Sequence, residues 1–212
     1  ADGKLLGRMD RRRGEFSLPL TGKIAKGTRL DILVEAMGRV NFDKSIHDRK
    51  GITHSVEAMV RGRKTPLNNW KIYNLPPFYD FVADKHYQSQ RSVSSPAYYK
   101  ATFTLDKVGD TFLDMQTWGK GMVWVNGHAL GRFWEIGPQQ TLFMPGCWLK
   151  KGKNEIIVLD LKGPSQTVVR GLQQPILDML RKEQIRSGRV NKNDLKMEKL
   201  ETAHRGTFKK AN

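Results

Sequence analysis

The chain has 212 residues, room for one or two ordinary domains, and its 38% hydrophobic content includes no run near the ~18 apolar residues of a membrane span, which excludes a transmembrane helix. Its formal charge of +16 is spread, at +7 over residues 1–64, +4 over 65–170 and +5 over 171–212, whereas nucleic-acid modules gather their charge on one face, so no specific nucleic-acid partner is expected. A single cysteine, Cys147, excludes an internal disulfide and reads as a buried or turn-associated thiol.

The chain opens on Ala1-Asp2-Gly3-Lys4-Leu5-Leu6-Gly7-Arg8, and Val125-Asn126-Gly127-His128-Ala129-Leu130-Gly131-Arg132 repeats it at an offset of 124. Asn-Gly and Asp-Gly suit a type I′ hairpin turn, because both central positions need positive φ. Leu149–Gly152 and Asn154–Leu161 echo Ile24–Gly27 and Arg29–Ala36 at an offset of 125, so one loop residue separates two copies of a module. Strand-like sequence leads into the second copy but nothing precedes Ala1. If both copies build one sandwich, the first module is truncated at its N-terminus.

Arg11-Arg12-Arg13 between Asp10 and Glu15 reads as a solvated turn. Arg29 to Glu35 is the expected last strand of the first module, and Gly51 to Arg61 another. From Thr65 to Ser95, Pro66, Pro76, Pro77 and a Ser-rich stretch predict an extended connector. Strands follow at Tyr99–Leu105, Thr111–Met115, Gly121–Val125, His128–Trp134, Gln140–Met144 and Asn154–Leu161. Their spacing favours an antiparallel sandwich or jelly roll. Pro175–Arg181 reads as a short helix with proline in its first turn. Beyond Ser187 the chain is polar and charged, with one further helical turn expected near Leu195–Leu200.

The fold class is therefore all-β: two consecutive jelly-roll β-sandwiches, the first incomplete, and a short helical or disordered tail. The expected boundaries are 1–64, 65–95, 96–163 and a basic tail over 164–212. Catalytic motifs are lacking. Glu35 and Asp160 fall at matching repeat positions and read as sandwich-surface groups, not as a glycosidase pair. His47, Asp48 and His54 fit no metal-ligand spacing, and no cofactor fingerprint is present, so the expectation is no catalytic residue, no metal and no cofactor. Trp124 and Phe133 are expected in the core, whereas Trp134 and Trp148 remain open to sugar stacking.

Two long blocks carry a resemblance. Leu33-Val34-Glu35-Ala36-Met37-Gly38-Arg39-Val40-Asn41-Phe42 with Ile46–Ile52, and Trp118–Gly127 running through Leu130–Trp134 to Gly137–Pro145, resemble the non-catalytic C-terminal part of glycoside hydrolase family 35 β-galactosidases. The resemblance spans residues 1 to 162. It implies a parent whose (β/α)8 barrel carries an acid/base glutamate and a nucleophile glutamate, neither in this chain, and hydrolyses terminal β-galactosides with retention. It also implies that this region contacts the barrel within the molecule and meets the galactoside only through the parent.

In the family, the aromatic residue closing the Gly-Arg-Val-Asn-aromatic motif helps wall the galactose site. That position is Phe42, where lysosomal members carry tyrosine, so stacking would remain without a phenolic hydrogen bond. The family's usual glycine after it is Asp43, a tolerable residue if φ is positive there. Arg39 and Asn41 are expected to shape this loop. A carbohydrate-binding module without catalytic role is the alternative, since fold alone does not separate the two.

Overall fold

The computed structural model describes residues 1–21, 24–36, 41–89 and 95–181, and its chain divides into two units, Ala1–Asn74 and Leu75–Asn212. Arg39 and the turn expected at Leu195–Leu200 lie outside the described residues. The fold is mostly antiparallel β-structure with very little helix.

Among its described residues the first unit has one ladder, the hairpin of β1 (Glu57–Val60) and β2 (Arg63–Pro66), closed by Arg61 and Gly62 at φ of 49° and 79°. Asp2 and Gly3 take φ of 45° and 78°, the geometry that Asp-Gly favours. The Asp2 amide donates to Arg29 O and the Arg29 amide to Asp2 Oδ1, both at 2.9 Å. Beyond this clasp no ladder is assigned to 29–36 among the described residues, in contrast to the strand expected there. Hydrophobicity alone does not make a strand; a hydrogen-bonded neighbour does.

The second unit is a β-sandwich. Its larger sheet orders β3 (Ala97–Leu105), β8 (Gly152–Asp160), β5 (Lys120–Val125) and β6 (His128–Trp134), and the smaller orders β7 (Thr141–Met144), β4 (Thr111–Asp114) and β9 (Arg170–Leu172). Period-two alternation sorts the side chains. Val123, Val125, Ile156 and Val158 face the smaller sheet, whose Leu113, Leu142 and Met144 complete that core with Trp118 and Phe133. Met122, Trp124, Ile157 and Leu159 occupy the alternate positions and point the other way. Both faces of the central strands are apolar, so the outer face also needs a cover.

Residues 75–87, within the stretch expected as connector, supply that cover. The short helix α1 (Tyr79–Ala83) inserts Val82, at 0% exposure, against Trp124 and Ile157. Full burial of such a side chain contributes about 1.5–3 kcal/mol. Trp124 Nε1 donates to Pro77 O at 3.0 Å, and Tyr87 OH to Val82 O at 2.8 Å. Tyr79 OH donates to Glu155 Oε1 at 2.6 Å, while Lys100 Nζ lies 3.0 Å from Glu155 Oε2. The bond to Glu155, aided by burial, raises the Tyr79 phenol to about 12. Burial pushes the Glu155 carboxyl up, but the Tyr79 and Lys100 bonds outweigh it and leave it below its usual value. The strap's polar latch is therefore complete at neutral pH. It fades as pH falls below the ordinary carboxyl range, and again as pH rises from 10 towards 12.

The β5–β6 turn holds the sandwich together. Asn126 and Gly127 sit at φ of 47° and 90°. Asn126 N donates to Glu155 O at 3.1 Å and Glu155 N to Asn126 Oδ1 at 2.9 Å. Asn126 Nδ2 donates to Trp148 O and Asn154 Oδ1. Past the turn the β5–β6 register shifts between Val123 and Trp124, leaving Leu130 as the extra residue of a bulge beside Gly131 at φ of 138°.

Three expectations are corrected here. Glu155 clasps Asn126 as Arg29 clasps Asp2, so the true offset beyond the glycines is 126, and Asn154 is an added residue of the second copy. A one-residue slip exchanges the faces of a strand. Glu35 and Asp160 are consequently not equivalent: Glu35 is exposed, but Asp160 has 0% exposure, far from a surface group. Asp160 is tolerated inside because the amides of Gly119, Lys162 and Gly163 all donate to it at 2.6–2.7 Å. Finally, Pro175–Arg181 is extended, not helical, because its backbone bonds go to residues 136–141: Gln140 N to Ile176 O, Met179 N to Pro138 O and Arg181 N to Ile136 O.

Replacing Asn126 by alanine removes three side-chain hydrogen bonds and puts a residue ill suited to positive φ in the turn. Denaturant unfolding of the second unit, followed by tryptophan fluorescence, should show a loss of about 2–4 kcal/mol. A loss below about 1 kcal/mol would show that the clasp is dispensable.

Candidate functional site

The loop carrying Phe42 is built from a short run of local constraints. Asp43 takes φ of 54°, a left-handed conformation open to aspartate but easier for glycine. That conformation turns the chain so that Ile46 N donates to Asp43 O at 3.1 Å, and a 3-10 turn follows over Lys44–His47. Phe42, immediately before the bend, is 79% exposed. A phenylalanine ring left in water forgoes on the order of 2 kcal/mol of burial, so it stands ready to pack on another surface.

Asp48 anchors the far end of the loop. Arg11 Nη2 lies 2.7 Å from Asp48 Oδ1, Lys50 Nζ lies 2.6 Å from Oδ2, and Arg11 Nη1 donates to Arg49 O at 3.2 Å. The Arg11 bond first and the Lys50 bond second hold the Asp48 carboxyl at about 2. The Arg11–Arg13 run is itself a 3-10 turn: Asp10 caps it by accepting from the Arg12 amide, and Gly14 ends it at φ of 68°. Arg12 also pairs with Asp10 and is the main cause of that carboxyl's lowered pKa, which burial partly opposes. Sequence reasoning saw a solvated turn here and missed its second role as the loop's tether. Reciprocal charge between Arg11 and Asp48, 37 residues apart, leaves no local pattern to find.

His47 is exposed, and the His54 ring meets Thr53 Oγ1 at 3.0 Å, its neighbour in sequence. Among the described residues no three His, Cys, Asp or Glu side chains gather to hold a metal. Cys147 is exposed within the 3-10 turn Gly146–Trp148.

In the second unit the aromatic residues separate by burial. Trp118, Trp124 and Phe133 are core. Trp134 carries the Lys120 ammonium over its ring at 4.1 Å, and Trp148 stacks on His128 at 4.6 Å with planes 12° apart. One face of each ring is thus already engaged.

Family comparison accounts for both units. Residues 1–76 match the model of the β-galactosidase first all-β domain, and residues 96–154 that of the β-galactosidase galactose-binding domain. This chain belongs to the non-catalytic region of the β-galactosidases. Similar proteins include β-galactosidase-1-like protein 2 of Homo sapiens, 37% identical over 76% of this chain and 25% of its own length. β-Galactosidase-1-like protein of Mus musculus is 40% identical over 84% of this chain and 28% of its length, and β-galactosidase of Bos taurus 36% identical over 78% and 29%. The chain thus spans 23–30% of the length of the curated relatives it matches.

The left-handed turn at Asp43 can be probed locally. Asp43→Val should speed hydrogen exchange at the Ile46 amide about tenfold, as about 1–2 kcal/mol of backbone strain requires, while Asp43→Gly should change it less than about threefold. Equal acceleration in both variants would mean that positive φ is not what holds the loop.

Proposed function

We propose that this region buttresses the catalytic (β/α)8 barrel of a retaining β-galactosidase and supplies, through Phe42, one wall of its galactose site. One observation carries this reading. Among the described residues all of the buried hydrophobic core lies at Val82 or later, whereas the first unit leaves Phe16, Leu33, Val34, Phe42, Ile52 and Val60 largely exposed. Scattered apolar residues are ordinary on a surface, but so many on a unit with no buried core among its described residues fit a body that packs on a larger neighbour. The exposed Phe42 ring on a tethered loop adds a group of the kind that stacks on a sugar face. Each relative's name contains β-galactosidase, which supports the substrate class.

In this reading the chain does no bond breaking. The barrel contributes both carboxyl groups, one attacking the anomeric carbon and the other giving a proton to the leaving oxygen, and Phe42 excludes water and orients the sugar ring between them. A free-standing carbohydrate-binding role is less favoured, since Lys120 and His128 already cover faces of Trp134 and Trp148.

The isolated chain should release no nitrophenol from a nitrophenyl β-galactoside. In the full-length enzyme Phe42→Ala should lower kcat/KM about tenfold, mainly through KM, and Phe42→Tyr should keep most activity. Turnover by the isolated chain that is lost on changing one of its carboxylates, or an unchanged kcat/KM for Phe42→Ala, would refute the assignment.

A further inference from the structure

Among the described residues no strand lies beyond β3 of the second sandwich, which at nine residues offers roughly 30 Å of edge. The direction of its free groups follows from its neighbour. Glu155 in β8, and Leu161 just past its end, turn their backbone groups towards the β5 side, bonding Asn126 and Lys120. By alternation Asn154, Ile156, Val158 and Asp160 bond their β3 partners Phe103, Ala101, Tyr99 and Ala97. Tyr98, Lys100, Thr102 and Thr104 therefore aim N–H and C=O at the open edge.

The space between the sheets opens at the same edge. A cleft of about 1580 Å³ is lined by Tyr99, Phe103, Trp118, Leu149 and Val169. Ala101 is exposed although it shares the inward face with Tyr99 and Phe103. The small side chain leaves a notch in mid-strand. Charge at the mouth is one-sided: Lys85, Lys107 and Arg170 against Asp110, with Lys100 neutralised by Glu155.

We infer that β3 is a docking edge for an extended polypeptide strand with apolar residues on one face and acidic residues on the other. The guest strand pairs with Tyr98, Lys100, Thr102 and Thr104, places apolar side chains in the cleft over Ala101, and sets its carboxylates beside Lys85 and Lys107. This is strand addition, in which backbone bonds provide affinity and alternate side chains provide selectivity. A second copy of this chain is the poorer guest, because two bodies of charge +16 repel.

The probe is the peptide acetyl-Glu-Val-Glu-Leu-Glu-Val-Glu-Leu-Glu-amide, added to the 212-residue chain and followed by fluorescence anisotropy and amide hydrogen exchange. Saturable binding should slow exchange at Tyr98, Lys100, Thr102 and Thr104 at least tenfold. Thr102→Pro, which deletes an outward amide and no β8 bond, should weaken binding at least tenfold, and a Lys-for-Glu peptide should bind at least tenfold more weakly. If the proline variant fails to fold, a probe N-methylated at alternate residues makes the same test on the unaltered chain. Absence of binding, binding indifferent to the blocked amides, or outward amides already protected before peptide is added, whether within one chain or in a dimer, would overturn the inference.

Discussion

The reciprocal bonding between Asn126 and Glu155 is the constraint on which the second unit depends. It fixes a positive-φ turn, and its two bonds, one between backbones and one from the Glu155 amide to the Asn126 side chain, set the start of the β5–β8 ladder at Val125 opposite Ile156. Register then decides everything that alternates: Val123 and Val125 go to one core, Met122 and Trp124 to the other. The side chain of Glu155 continues the same chain of contacts to Tyr79 and Lys100, so the residue that sets the sheet's register also latches the strap over its outer face.

The first unit has the same clasp, Asp2 with Arg29, yet builds neither a ladder along 29–36 nor a buried core among its described residues. A turn is thus a local device whose value depends on what it brings together. In the second unit it aligns strands whose two faces are both covered, and burial of Trp124, Ile157 and Val82 contributes several times what any one hydrogen bond does. In the first it presents apolar groups outwards. That contrast underlies the proposed division of labour, in which the sandwich is self-contained and the first unit is completed by a catalytic neighbour.

Much of the second sandwich was legible in the sequence because its signals are local. Asn126-Gly127 announces its hairpin, and the alternation in 99–105 and 121–125 marks its strands. What escaped depends on partners distant in the chain. Val82 belongs to a proline-rich stretch and counts only once Trp124 and Ile157 need a cover. Pro175–Arg181 has a helix-like beginning but gives its backbone bonds to residues 136–141. Asp160 looked like a surface carboxylate because three backbone donors, including Gly119 from 41 residues earlier, leave no trace in composition. The proposal for Phe42 rests on resemblance, since one exposed aromatic in a polar loop carries no periodic signal.

In the proposed division of labour the second unit is stable by itself, whereas the first requires a surface from outside. Hydrogen exchange along the isolated chain is the most direct test. Amides in β5 and β8 should exchange on the order of 10³-fold or more slower than in an unstructured peptide, while those of residues 29–36 should stay within about tenfold of that reference. Protection of residues 29–36 equal to that of β8 would contradict this division.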